Sequence, residues 1–288
     1  MLRSSQGTSR AGRYNMSFMR PSELAGYATY LKSAVETFST LTDPWVDSRP
    51  DSTAQSELEE AREFVLGDGV WGEAPVREAY AVAASGYSAA LDLGRAMTAV
   101  LTSDALTAYP STTLTCSIVR TTSQTWWLLD PGTGVKGRVE RLQCLRFRSS
   151  LSAQPAARNS AEARHSNDRS TIGDVYEHSR ILGLDSPRQD GPFYVCGDQR
   201  MPPIDRLAVA MLDDLGSDSA YSLGESFYRG DLIALRQAFE PSRSSHVVQP
   251  AMNERMLLNA VTIAVRSLFS TAVRFADLFG LEGSWSVL

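Results

Sequence analysis

The segment from Leu114 to Arg148 constrains the chain most. An apolar stretch ends in Trp126-Trp127-Leu128-Leu129, breaks at Asp130-Pro131-Gly132, and restarts as an Arg-rich helical pattern. Successive side chains on a helix point roughly 100° apart, so the two indoles cannot share one stripe. Each needs cover from a different neighbour. The corner is therefore expected where several helices converge, as a structural hub.

Helical spacing recurs along most of the sequence. After Pro21, residues Leu24, Tyr27, Ala28, Leu31, Ala34, Val35, Phe38 and Leu41 fall at i, i+3, i+4, i+7 and predict a first helix. Residues 52–66 predict a second, with Gly67 at its end and Glu57, Glu59, Glu60 and Glu63 assigned to a solvated face. Residues 67–72 read as a turn. A long central helix is expected over 74–101, where Ala83, Ala84, Gly86, Ala90 and Gly94 permit close approach of a neighbour.

Pro110 opens the helix that ends at Asp130-Pro131-Gly132, and another begins near Val135, with Pro155 expected to break or kink it. Residues 158–183 read as one partly exposed helix or two short ones. From Ser186 to Pro203, repeated Pro and Gly signal a loop. Phe193-Tyr194-Val195-Cys196 within it is strand-like but has no visible partner, so an extended loop is expected. Residues 204–215, two short pieces within 221–239, and a long segment 250–280 closed by Gly280 complete the helical pattern. The expected fold is all-α, a multi-helix bundle of about eight helices with no significant sheet. Residues 1–20 read as a disordered basic tail and 21–288 as a single helical domain, with a weak boundary at 186–203.

Charge and composition exclude some functions. The net charge of −5 gives no global attraction to nucleic acid or an anionic membrane. Of the 28 basic residues 26 are Arg, the two Lys being Lys32 and Lys136, a bias expected of a GC-rich bacterial genome. Cys116, Cys144 and Cys196 lack metal-type spacing, and no signal peptide or apolar run of about 18 residues is present. A reduced, cytoplasmic protein with no membrane association is the expectation. His165, His178 and His246 have no His-Glu-x-x-His spacing, and P-loop, nucleophile-elbow and dinucleotide fingerprints are missing. Neither metal nor cofactor is expected.

Two short patterns carry candidate chemistry. Arg158 is followed after six residues by His165 in a polar, helical segment. The pair resembles the Arg-x(4–6)-His motif of the HEPN helical family, whose members include metal-independent ribonucleases. The resemblance implies a phosphate-binding Arg158 and an acid–base His165 acting at a 2′-hydroxyl.

The second covers more of the chain. Arg120, Trp126-Trp127-Leu128-Leu129-Asp130-Pro131, Arg138, Arg141 and the segment Tyr221 to Gly230 resemble a group of all-helical actinobacterial proteins. That group has no established activity, so the resemblance implies fold and source. Arg229 stands where the group carries His, a departure that counts against any activity resting on that His.

Charge is also uneven along the chain. Residues 136–180 hold nine basic and five acidic side chains, whereas 205–231 hold six acids against Arg206 and Arg229. Complementary helices, packed in one bundle or across a homodimer, account for this more simply than an RNA-binding face does. The leading expectation is a helical binding or interaction protein without a cofactor, with Trp126, Trp127, Arg138, Arg141 and Arg229 as binding candidates. The alternative is a HEPN-like ribonuclease using Arg158 and His165, and a third reading is an enzyme with an apolar pocket inside the bundle.

Overall fold

The computed structural model describes residues 21–40, 49–66, 69–103, 108–159, 170–213 and 254–281. The helices are α1 (Pro21–Ser39), α2 (Thr53–Glu63), α3 (Ala74–Leu101), α4 (Ala108–Leu128), α5 (Gly134–Asn159), α6 (Ser170–Ile181), α7 (Ile204–Asp213) and α8 (Glu254–Phe279). Two small antiparallel sheets join them: β1 (Val65–Leu66) with β2 (Gly69–Val70), and β3 (Arg188–Asp190), β4 (Phe193–Cys196) and β5 (Gln199–Met201) in that order.

Helices α1, α3, α4 and α8 pack into the main bundle, and α7 closes against α4 and α8. Small residues set the spacing. A Cβ on Gly86 would lie 2.6 Å from Thr125 Oγ1, and one on Gly94 would lie 2.7 Å from Val35 Cγ2. The sequence-based expectation of close approach along α3 is met at these two positions. Inside, the Tyr87 and Phe275 rings meet at a tilt with centroids 5.2 Å apart, and the Tyr87 hydroxyl donates to the Leu268 carbonyl across 3.2 Å. That bond satisfies a polar group which burial would otherwise penalise. Ser52 caps α2 by accepting from the Gln55 N–H, and Gly280 (φ +66°) ends α8 with a Leu281 N–H to Ala276 C=O bond of the Schellman type.

Helix α5 lies beside α3 and carries both α6 and the three-stranded sheet. This sheet corrects the expectation of an unpaired extended loop at 186–203. Phe193–Cys196 finds its partners in the segments on either side, Asp190 opposite Phe193 and Gln199 opposite Cys196. Gly191 (φ +57°) and Gly197 (φ +54°) stand at the first position of the two two-residue turns, as type II′ hairpins require. The pairing was hard to read because β3 is wholly exposed and polar and shows no apolar alternation. The β1–β2 pair likewise replaces the expected simple turn. The fold is predominantly helical, but the expectation of no significant sheet holds only roughly. Pro155 lies within α5 instead of ending it.

Candidate functional site

Two places gather polar side chains. The first is the aromatic corner. When α4 ends, its last carbonyls have no helical partner. Arg138 and Arg141, one turn apart on α5, supply donors. Arg138 donates from Nη1 to the Leu128 carbonyl (2.6 Å) and from Nη2 to the Asp130 carbonyl (3.2 Å), while Arg141 Nη1 donates to the Trp127 carbonyl.

Arg138 is fully buried and also grips Glu57 of α2 through Nε (2.5 Å) and Nη2 (2.6 Å). The Tyr80 hydroxyl of α3 donates to Glu57 Oε2 at 2.6 Å. Glu57 is thus buried and paired, which corrects its assignment to a solvated face. Helical periodicity places Glu57 on the same stripe as Ala54, Leu58 and Ala61, all buried. Burial opposes the Arg138 charge, but hydrogen bonds and attraction from Glu57 outweigh it and raise its pKa. Burial also pushes the Tyr80 phenol far above its ordinary range, so it remains a donor.

Asp130 joins the remaining parts. Its Oδ2 accepts from both Arg141 Nη groups at 3.2 Å and its Oδ1 from Arg274 Nη1 of α8 at 2.8 Å. Burial works against its ionisation, yet the two guanidiniums prevail and hold the carboxyl below its usual range. Arg141 lies over the Trp127 ring at 4.9 Å, and Arg274 over Trp126 at 4.1 Å. Each indole is covered by an Arg from a different helix, and Arg141 Nε reaches Gln199 of β5 at 2.7 Å. The corner fastens α2, α3, α4, α5, α8 and β5 together.

The second place is a cleft of about 600 Å³ between α3, α5 and α6. Leu142, Leu145, Arg146, Ser149 and Ser150 form one stripe of α5, with Leu142, Leu145 and Val175 giving it an apolar floor. Val82 and Glu78 come from α3, and Asp174 and His178, four residues apart, from α6. Arg146 Nη2 pairs with Glu78 Oε1, and Nη1 donates to His178 Nδ1 across 2.8 Å. Gln143 Nε2 lies 3.1 Å from the same nitrogen.

A guanidinium can only donate, so His178 Nδ1 must be the acceptor and the ring proton sits on Nε2. Burial, reinforced by Arg146, lowers the His178 pKa below its ordinary 6.5, which keeps the ring neutral. Among the described residues nothing engages Nε2. The Ser150 hydroxyl likewise has no described partner although the residue is 9% exposed, and Gln143 Oε1 is buried without one.

Of the residues singled out from sequence, Trp126, Trp127, Arg138 and Arg141 come together at the corner. Arg158 falls within α5 with its side chain outside the described residues, and His165 and Arg229 lie outside them altogether. Sequence reasoning missed Glu57, Glu78, Arg146, Ser150, Asp174 and His178. The one available signal was the i, i+4 spacing of Asp174 and His178 beside an apolar Val175. No group of three or more His, Cys, Asp or Glu among the described residues is placed to hold a metal, and no described helix is long and apolar enough to cross a membrane. No family model, curated protein or solved structure matches the chain.

Proposed function

We propose that this protein is a helical binding protein that seats a small ligand in the cleft between α3, α5 and α6. An apolar floor rimmed by a few convergent polar groups is the usual form of a small-molecule site. The observation that carries the reading is the state of His178. Its lone pair is already occupied by Arg146 and Gln143, so the ring cannot take a proton from a substrate without breaking both bonds. It can instead hold a hydrogen-bond acceptor through Nε2–H. This favours recognition over acid–base catalysis.

The corner supports the same reading indirectly. Arg138 and Arg141 turn most of their donors to main-chain carbonyls, Glu57, Asp130 and Gln199. They fix α5 against α2 and α4, and α5 supplies one wall of the cleft. A fixed wall is what a preorganised site needs.

The test is a fragment screen by ligand-detected NMR on the wild type and on Ser150→Trp, which fills the cleft from α5. Fragments that bind the wild type and are lost in the folded variant support the proposal. Binding unchanged in Ser150→Trp, or no fragment bound by the wild type, overturns it.

A further inference from the structure

We infer that the cleft recognises a carbonyl group carried on an apolar body, and that Arg146 is the positioning residue that makes His178 the donor for it. The inference rests on the binding reading above and adds the chemistry of the ligand. Glu78 on α3 pairs with Arg146 Nη2 on α5, and Arg146 Nη1 donates to His178 Nδ1 on α6 across 2.8 Å. Three helices thus join in one relay whose last member is the Nε2–H of the ring. A guanidinium has no lone pair to offer, so while Arg146 is in place the ring cannot move its proton to Nδ1. The alternative is close at hand. Gln143 Nε2 lies 3.1 Å from Nδ1 and its Oε1 is buried without a partner, so without Arg146 the amide could turn over and accept from a protonated Nδ1. Arg146 therefore sets the donor before any ligand arrives.

A second donor lines the cleft from α5. Ser150 is buried there, and its hydroxyl has no partner among the described residues. A carbonyl oxygen carries two lone pairs and no proton. It can accept from either donor or both, and it brings no donor of its own that the apolar floor would leave unpaired. Leu142, Leu145, Val175 and Val82 supply the surface for the body that carries it. An alkene of the same shape fills that surface equally well but leaves both donors stripped of water and unmatched.

Acetophenone and isopropenylbenzene are such a pair. Titrations of the purified protein at neutral pH, followed by NMR shifts, are expected to show the ketone binding more tightly by about tenfold. His178→Asn keeps an acceptor for Arg146 near the place of Nδ1 and removes the Nε2 donor, so the preference should fall to about threefold. Ser150→Ala removes the other donor without touching the relay, and should reduce the preference even if His178→Asn does not fold. In Arg146→Met the ring should gain the Nδ1–H tautomer and the ketone preference should narrow, whereas a merely structural Arg146 would weaken both probes alike with the tautomer unchanged. Equal binding of the two probes, or a preference undiminished in both donor variants, overturns the carbonyl assignment. An unaltered tautomer in folded Arg146→Met overturns the positioning role. In each case fragment binding that is lost in Ser150→Trp leaves the cleft itself standing. Failure of both probes, with other fragments still seated in the cleft, likewise overturns this inference alone.

Discussion

Arg138 and Glu57 meet as a two-pronged ion pair sealed in the interior, with the Tyr80 hydroxyl completing the carboxylate and the Leu128 and Asp130 carbonyls, at and just past the C-terminal end of α4, completing the guanidinium. The two residues lie 81 positions apart, on α5 and α2. A buried pair of this kind balances desolvation against attraction only while every member is present.

Removing one member is therefore expected to be costly. Arg138→Met leaves Glu57 charged and buried, at a cost of about 3–5 kcal/mol in urea unfolding. The double variant Arg138→Met with Glu57→Leu should be less destabilised than the sum of the singles by about 2 kcal/mol. Strict additivity would show that the pair does not act as a unit.

The β4–β5 turn offers a steric test. A Cβ on Gly197 would lie 1.8 Å from Glu140 Oε1, and the residue has a positive φ. Gly197→Ala should cost about 2–4 kcal/mol, from backbone strain together with the clash. Adding Glu140→Ala should recover the part due to the clash and leave the strain. An unchanged midpoint for Gly197→Ala would contradict the observed seating of the turn on α5.

Stability should also depend on pH through His178. Its folded-state pKa lies below 6.5, so in acid the unfolded chain binds the proton more readily than the folded one. The stability from neutral His178 is fully present above about pH 6.5 and is lost as pH falls through the lowered value. Arg146 and Gln143 face the ring from α5, Glu78 shares the cleft from α3, and Asp174 lies on the same helix. His178→Ala is expected to cost about 1–2 kcal/mol at neutral pH. The gap to wild type should narrow in mild acid, and a gap that stays constant or widens would refute the assignment.

The same account separates binding from RNA cleavage. Purified protein should leave labelled RNA intact in the absence of metal, and His165→Ala should change nothing. Cleavage abolished by that substitution in a folded variant would place the chemistry at Arg158 and His165 instead.

Much of the helical framework could be read from the sequence because periodicity reports directly on burial: the stripe of α1 and the small residues of α3 became the packed faces. The aromatic corner was legible for the same reason, since adjacent indoles need cover from two sides. The polar partners were not. Glu57 reads as one of four clustered acids, and only the tertiary approach of α5 makes it the counter-ion of Arg138. The β3–β5 sheet hid because β3 is exposed and polar and β5 is too short, at three residues with one buried apolar side chain, to show alternation. The cleft could not be foreseen because Arg146 and His178 are 32 residues apart and acquire their roles only when α6 folds back along α5.

The most direct measurement is the ring state of His178, read from long-range proton–nitrogen correlations of nitrogen-labelled protein at neutral pH, alone and with acetophenone. The account predicts a neutral ring with the proton on Nε2 and a bare Nδ1, and a ligand-induced shift at Nε2 but little change at Nδ1. A proton on Nδ1, rapid exchange between tautomers, or a cationic ring at neutral pH would contradict it.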